Sequence, residues 1–85
     1  MELYLLTVLK EYEFEQSDYD GWIYATLEAA LAQYGIEVDN AREAYKCCDK
    51  HENEIATEHY RYYEICDQQC ANRIVIVVEK KILND

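Results

Sequence analysis

Asp20-Gly21-Trp22-Ile23-Tyr24-Ala25-Thr26-Leu27-Glu28-Ala29-Ala30-Leu31-Ala32-Gln33-Tyr34-Gly35-Ile36 is the stretch from which the fold can be read. Asp20-Gly21 has the chemistry of a turn, and residues 22–25 carry the aromatic and β-branched side chains that suit a pleated surface. Thr26 offers a hydroxyl to the first free N–H groups of a helix. Leu27, Ala30, Leu31 and Tyr34 then follow at i, i+3, i+4 and i+7, one apolar stripe on a helical face. Gly35 stands where a helix C′ residue is expected, and Ile36 can close back onto Leu31 in a Schellman ending. Strand, capped helix and stop are therefore expected within these seventeen residues.

Working outward, residues 3–14 read as the first strand. Its even positions, Tyr4, Leu6, Val8, Lys10, Tyr12 and Phe14, are apolar apart from the lysine, while its odd positions begin with Leu3 and Leu5 and turn acidic at Glu11. Residues 16–21 read as a loop, so the second strand returns antiparallel beside the first. Asn40 with Glu43 has capping-box spacing, and Ala41, Ala44, Tyr45 and Cys48 repeat the helical stripe, which predicts a second helix ending near residue 54. Residues 58–66 favour a strand by composition, although Ile55, His59, Tyr62 and Cys66 also fit one helical face. Residues 73–83 contain Ile-Val-Ile-Val-Val, the strongest strand signal, apolar on both faces at first. The expected fold is a single α+β domain over residues 1–85, with an antiparallel four-stranded sheet (ββααββ), two helices on one face, and the first and last strands adjacent at its centre.

Composition narrows the function classes. The chain has no proline and two glycines, which leaves no flexible linker. Its first ten residues lack a basic leader and read as a strand rather than a secretory signal, and no apolar run approaches the ~20 residues of a membrane span. A soluble cytoplasmic protein is expected, in which cysteines stay reduced. The net charge of −10 excludes direct binding to nucleic acid or an anionic membrane, both of which need a cationic face. The charge is unevenly spread: residues 1–40 hold nine acids against Lys10 alone, whereas residues 41–85 hold nine acids against seven bases.

Three groups of residues are candidates for a site. Glu11, Glu13 and Glu15 alternate, and in β conformation they would project from one face about 6.8 Å apart. Asp18 and Asp20 extend that array, with Tyr12 and Tyr19 interleaved. A row of carboxylates among planar rings presents to a phosphate-gripping protein something like a nucleic-acid backbone, and long-range attraction would steer it to a basic groove. The plainer reading is a solvated strand end whose charge guards against edge-to-edge pairing. Cys47, Cys48, Cys66 and Cys70, with His51 and His59 nearby, supply ligand types for zinc, but no C-x₂-C pair is present and Cys48 fits a small core residue. Nine tyrosines against one phenylalanine suit a recognition surface, where rigid amphipathic rings give contact area at low entropic cost.

No nucleophile elbow or Gly-rich phosphate loop is present, so a non-catalytic protein without a cofactor is expected. In its acids from Glu11 to Asp20 and the tyrosines among them, and in its size, the chain resembles the small phage-encoded inhibitors of host defence, anti-CRISPR proteins in particular. It is similar also to acidic immunity proteins and antitoxins that block nucleases. That resemblance implies a partner that is a basic nucleic-acid-binding protein, held in the host cytoplasm at its nucleic-acid site by Glu11, Tyr12, Glu13, Glu15, Asp18, Tyr19 and Asp20. Self-association is left open, and a small zinc or thiol module built on the four cysteines is the alternative.

Overall fold

A computed structural model describes residues 1–13, 16–47, 49–68 and 72–82. Five strands and one helix follow in the order β1 (Glu2–Glu11), β2 (Asp18–Tyr24), α1 (Leu27–Ala44), β3 (Lys50–Ala56), β4 (Tyr60–Asp67) and β5 (Arg73–Ile82). The strands form one antiparallel sheet in the order β2-β1-β5-β4-β3, so α1 carries the chain from one edge of the sheet to the other. Strands β1 and β5, the most apolar, do pair beside each other, with Leu6 opposite Val78 and Val8 opposite Ile76.

The expected four-stranded sheet with two helices is corrected in three places, each with a physical cause. First, α1 does not stop at Gly35 but runs eighteen residues to Ala44. The two predicted stripes are in phase: Val38 lies four residues past Tyr34 and three before Ala41, so one continuous face, Leu27-Ala30-Leu31-Tyr34-Val38-Ala41-Tyr45, can lie on the sheet. Packing along that face outweighs the roughly 1 kcal/mol that an interior glycine costs relative to alanine. Asp39 and Asn40 fall on the exposed side, where no cap is needed.

Second, the chain after Ala44 turns and enters β3 instead of continuing a second helix. Every residue of β3 is exposed, so no hydrophobic period announces it. It exists through its ladder to β4, in which His51 opposes Cys66 and Ile55 opposes Tyr62. Third, β2 begins at Asp18, absorbing the Asp18–Gly21 segment read as loop, and β1 ends at Glu11. Gly21 sits in β2 opposite Thr7 rather than in a turn. The expected ends of the first and last strands at Phe14 and Leu83 lie outside the described residues.

The start of the helix is as its sequence indicates: the Thr26 hydroxyl accepts a hydrogen bond from the Ala29 N–H at 3.2 Å. Beneath the helix, Tyr4, Leu6 and Val8 of β1, Ile74, Ile76 and Val78 of β5, and Tyr63 and Ile65 of β4 form the core with Ala30, Val38, Ala41 and Tyr45. Full burial of side chains such as Leu6 and Ile76 stabilises by about 1.5–3 kcal/mol each. The small Ala30 and Ala41 allow the helix axis close to the strands. Among the described residues, no helix is long and apolar enough to cross a membrane.

A Cβ placed on Gly35 meets no atom within 4 Å. Gly35→Ala is therefore expected to stabilise the protein by roughly 0.5–1 kcal/mol in urea denaturation, since an alanine costs less entropy in a helix interior. A left-handed helix terminus at this position would give the opposite sign.

Candidate functional site

The acidic residues read from the sequence as one array do not form one. Glu11 closes β1 on the face of the sheet away from the helix, opposite Arg73, and the two side chains form an ion pair. Arg73 also reaches Glu64 at 3.4 Å, and Glu64 accepts hydrogen bonds from the Tyr62 hydroxyl at 3.0 Å and from Asn53 Nδ2 at 3.3 Å. The partners come from β1, β5, β4 and β3, so Glu11 is one end of a cross-strand tie. The Glu11 carboxylate holds the Arg73 guanidinium above its ordinary pKa. Glu13 follows the end of β1, and its backbone N–H donates to Asn72 Oδ1 at 3.3 Å. Because the strand stops at Glu11, the expected alternation of Glu11, Glu13 and Glu15 is not built; Glu15 lies outside the described residues.

Tyr12 goes elsewhere again. It is partly buried and, with Lys10, Tyr45, Asp67, Asn72 and Ile74, lines a hollow of about 400 Å³ beside the C-terminal end of α1. Lys10 forms no ion pair with a described residue.

What the structure does bring together is the outer strand. Asp18, Asp20 and Trp22 point to the helix side of β2, since their partners across the ladder are Lys10, Val8 and Leu6. Tyr19 and Ile23 point to the other side, and both are about two-thirds exposed. Alternate residues of a strand lie roughly 6.8 Å apart, so the spacing expected of Glu11 and Glu13 is realised by Asp18 and Asp20. Neither aspartate forms an ion pair with a described residue, and both are exposed. Trp22 continues their row at 41% exposure. The strand is at the sheet edge, so its outer backbone groups are also unpaired within the sheet.

Two arrangements are not among the sites expected from the sequence. Arg42 reaches from α1 to the far edge strand, with Nε 3.4 Å from Glu52 and a guanidinium nitrogen 3.9 Å from Glu54, while stacking over the Tyr63 ring at 5.2 Å. The buried Tyr63 hydroxyl donates to Glu52 at 3.0 Å. Burial, and next the Glu52 hydrogen bond, push the Tyr63 phenol up to about 12. Tyr34, whose buried hydroxyl has no hydrogen-bond partner, is pushed up to about 12 by burial first and the Glu54 carboxylate second. The second arrangement is the uncovered sheet face, where Leu3, Leu5, Leu9, Val75, Val77 and Tyr62 are only partly buried and, among the described residues, no further element packs on them. Its signal was present in the apolar odd positions of β1 and in both faces of β5.

Cys66 is buried on β4, outside the helix-side core, with His51 and Arg73 as its ladder neighbours. Cys47 is exposed after α1, and Cys48 and Cys70 lie outside the described residues. Among the described residues no three His, Cys, Asp or Glu side chains are grouped so as to hold a metal ion. Comparison of the chain with protein-family models, curated proteins and solved structures finds no match in any of the three.

The two aspartates and Glu11 should separate cleanly on substitution. Glu11→Lys sets a cation beside Arg73 and is expected to cost about 1 kcal/mol, the scale of a half-exposed ion pair. Asp18→Asn and Asp20→Asn, which add no cation opposite Lys10, should leave the thermal midpoint within about two degrees, as exposed positions usually do.

Alkaline titration provides a further check. Both raised phenols stand about 12 against an ordinary 10.0. Their neutral forms are favoured by folding, so that stability is fully present below pH 10 and is lost as pH rises through 12. The urea midpoint should hold to about pH 9.5 and fall beyond it, with Tyr63→Phe reducing the fall.

Proposed function

We propose that this chain is a stoichiometric protein inhibitor that binds a basic, nucleic-acid-binding protein and occludes its nucleic-acid site, using the outer strand β2. The observation that carries the reading is the exposed row Asp18-Asp20-Trp22 with Tyr19 on the reverse side of the same strand. Two unpaired carboxylates at a regular spacing attract a Lys/Arg-lined groove, and the flanking rings supply contact area at small entropic cost. The net charge of −10 adds long-range steering toward such a partner. Glu11 contributes to stability rather than to this contact, because its charge is already matched by Arg73. A free strand edge allows a partner strand to align with the backbone as well.

The test is capture of a partner from cell lysate by the tagged protein, followed by competition. The captured protein is expected to be basic, to release the inhibitor when DNA or RNA is added, and to bind at least tenfold more weakly at 500 mM than at 50 mM salt. The double variant Asp18→Asn/Asp20→Asn should bind at least tenfold less, with its thermal midpoint preserved. Unchanged binding by that variant, or a partner that still holds its nucleic acid in the complex, would end this reading.

A further inference from the structure

The molecule is flat, with extents of 44 × 23 × 16 Å, and α1 lies on one side of the sheet. On the other side the ladder sets Ile23, Leu5 and Glu79 in one row across the strands, Gly21, Thr7, Val77, Tyr62 and Ile55 in the next, and Tyr19, Leu9, Val75, Glu64 and Asn53 in the third. The middle of this surface is aliphatic and aromatic, and its exposed margins include Ile23 at 68% and Ile55 at 52%. An apolar hollow of about 150 Å³, walled by Leu3, Leu5, Ile23 and the stem of Lys81, opens on it. Polar-out alternation is the usual state of an antiparallel sheet with one solvated face, and this face does not have it.

We propose that this face is the interface of a homodimer, in which two copies stack sheet on sheet with their helices outermost. Three observations select a second copy as the occupant. The first is charge. The face carries Glu11, Glu64 and Glu79 against Arg73 and Lys81, and these are already matched within it: Arg73 with Glu11 and Glu64, and Lys81 with Glu79 at 3.3 Å. A chain of net charge −10 thus presents one surface that is close to neutral. A basic partner gains nothing there, and a second copy meets no concentrated repulsion. The second is area. Five strands about 4.8 Å apart and about eight residues long cover roughly 24 by 27 Å, so two such faces remove on the order of 1,300 Å² from water, within the range of stable dimers. The third is shape, since twisted sheets stack on one another about 10 Å apart with interdigitating side chains, and the hollow walled by Leu3, Leu5 and Ile23 leaves room for a side chain of the second copy. The dimer carries one β2 edge on each copy, so the proposal stands whether or not that edge binds a partner.

Analytical ultracentrifugation of the full chain from 5 to 500 μM tests it. The expected result is a species of about 20 kDa, twice the 10.1 kDa chain, whose dissociation constant falls at least threefold between 50 and 500 mM NaCl as repulsion between the acidic outer surfaces is screened. This is the reverse of the salt dependence expected for a basic partner. Val77→Glu should yield a 10 kDa monomer, and Ile36→Glu on the outward side of α1 should leave the dimer intact. Because Val77→Glu can also weaken the fold, methyl NMR of the unaltered protein provides a second readout. On dilution, resonances of Leu3, Leu5, Leu9, Val75 and Val77 should shift while those of Ala30 and Val38 stay fixed. A monomer at 500 μM in 500 mM NaCl, a dimer unaffected by Val77→Glu, or shifts confined to other surfaces would each overturn the proposal.

Discussion

The close packing of Ala30, Val38 and Ala41 on Leu6, Ile76, Val78 and Ile65 is the contact on which the rest of the structure depends. The one helix among the described residues, eighteen residues long, is about 27 Å in length and about 10 Å across, enough to cover β1, β5 and the inner part of β4 but not the edge strands along their length. The edge strands are largely left in solvent on the helix side, and among the described residues no helix or second sheet packs on the opposite face. Both candidate interaction surfaces follow from that one geometrical shortage. The edge strand β2 exposes acids and rings because the helix does not reach over it. The reverse face exposes leucine, valine and tyrosine because no second helix among the described residues buries them.

Electrostatics is arranged around the same division. Arg73 gathers Glu11 and Glu64 across the uncovered face, and Arg42 ties α1 to Glu52 and Glu54 on the far edge while covering the Tyr63 ring. The cations of the second half of the chain thereby serve to hold strands and helix together. They leave the carboxylates of β2, distant from either arginine in the sheet order, without an ion pair, although Lys10 lies across the ladder from Asp18. In the proposed contact the matched charges have little left to offer a basic partner, so the unmatched carboxylates of β2 would supply the selectivity.

Much of the local structure was legible in the sequence. The Thr26 cap, the apolar stripe from Leu27 to Tyr34, and the strands around Leu6, Tyr63 and Ile76 stand where composition and period place them. These are segments whose own side chains determine their burial. The misplaced ones are those decided by a neighbour. Gly35 and Asn40 look like a stop and a start, yet Val38 keeps the two stripes on one face, and the sheet beneath supplies the packing that carries the helix through them. Strand β3 has no apolar period at all, and only the β4 ladder and the reach of Arg42 make it a strand.

The candidate site divides in the same way. By itself the sequence determined that the chain is strongly acidic, that the acids of its first half lack neighbouring cations in sequence, and that strands and helix alternate in an α+β pattern. Only the tertiary structure decided that Glu11 is neutralised by a residue sixty-two positions away, while Asp18 and Asp20 are not. The reason is physical: charge along a chain is a local property, whereas its compensation depends on which strands the hydrogen-bonded sheet sets side by side.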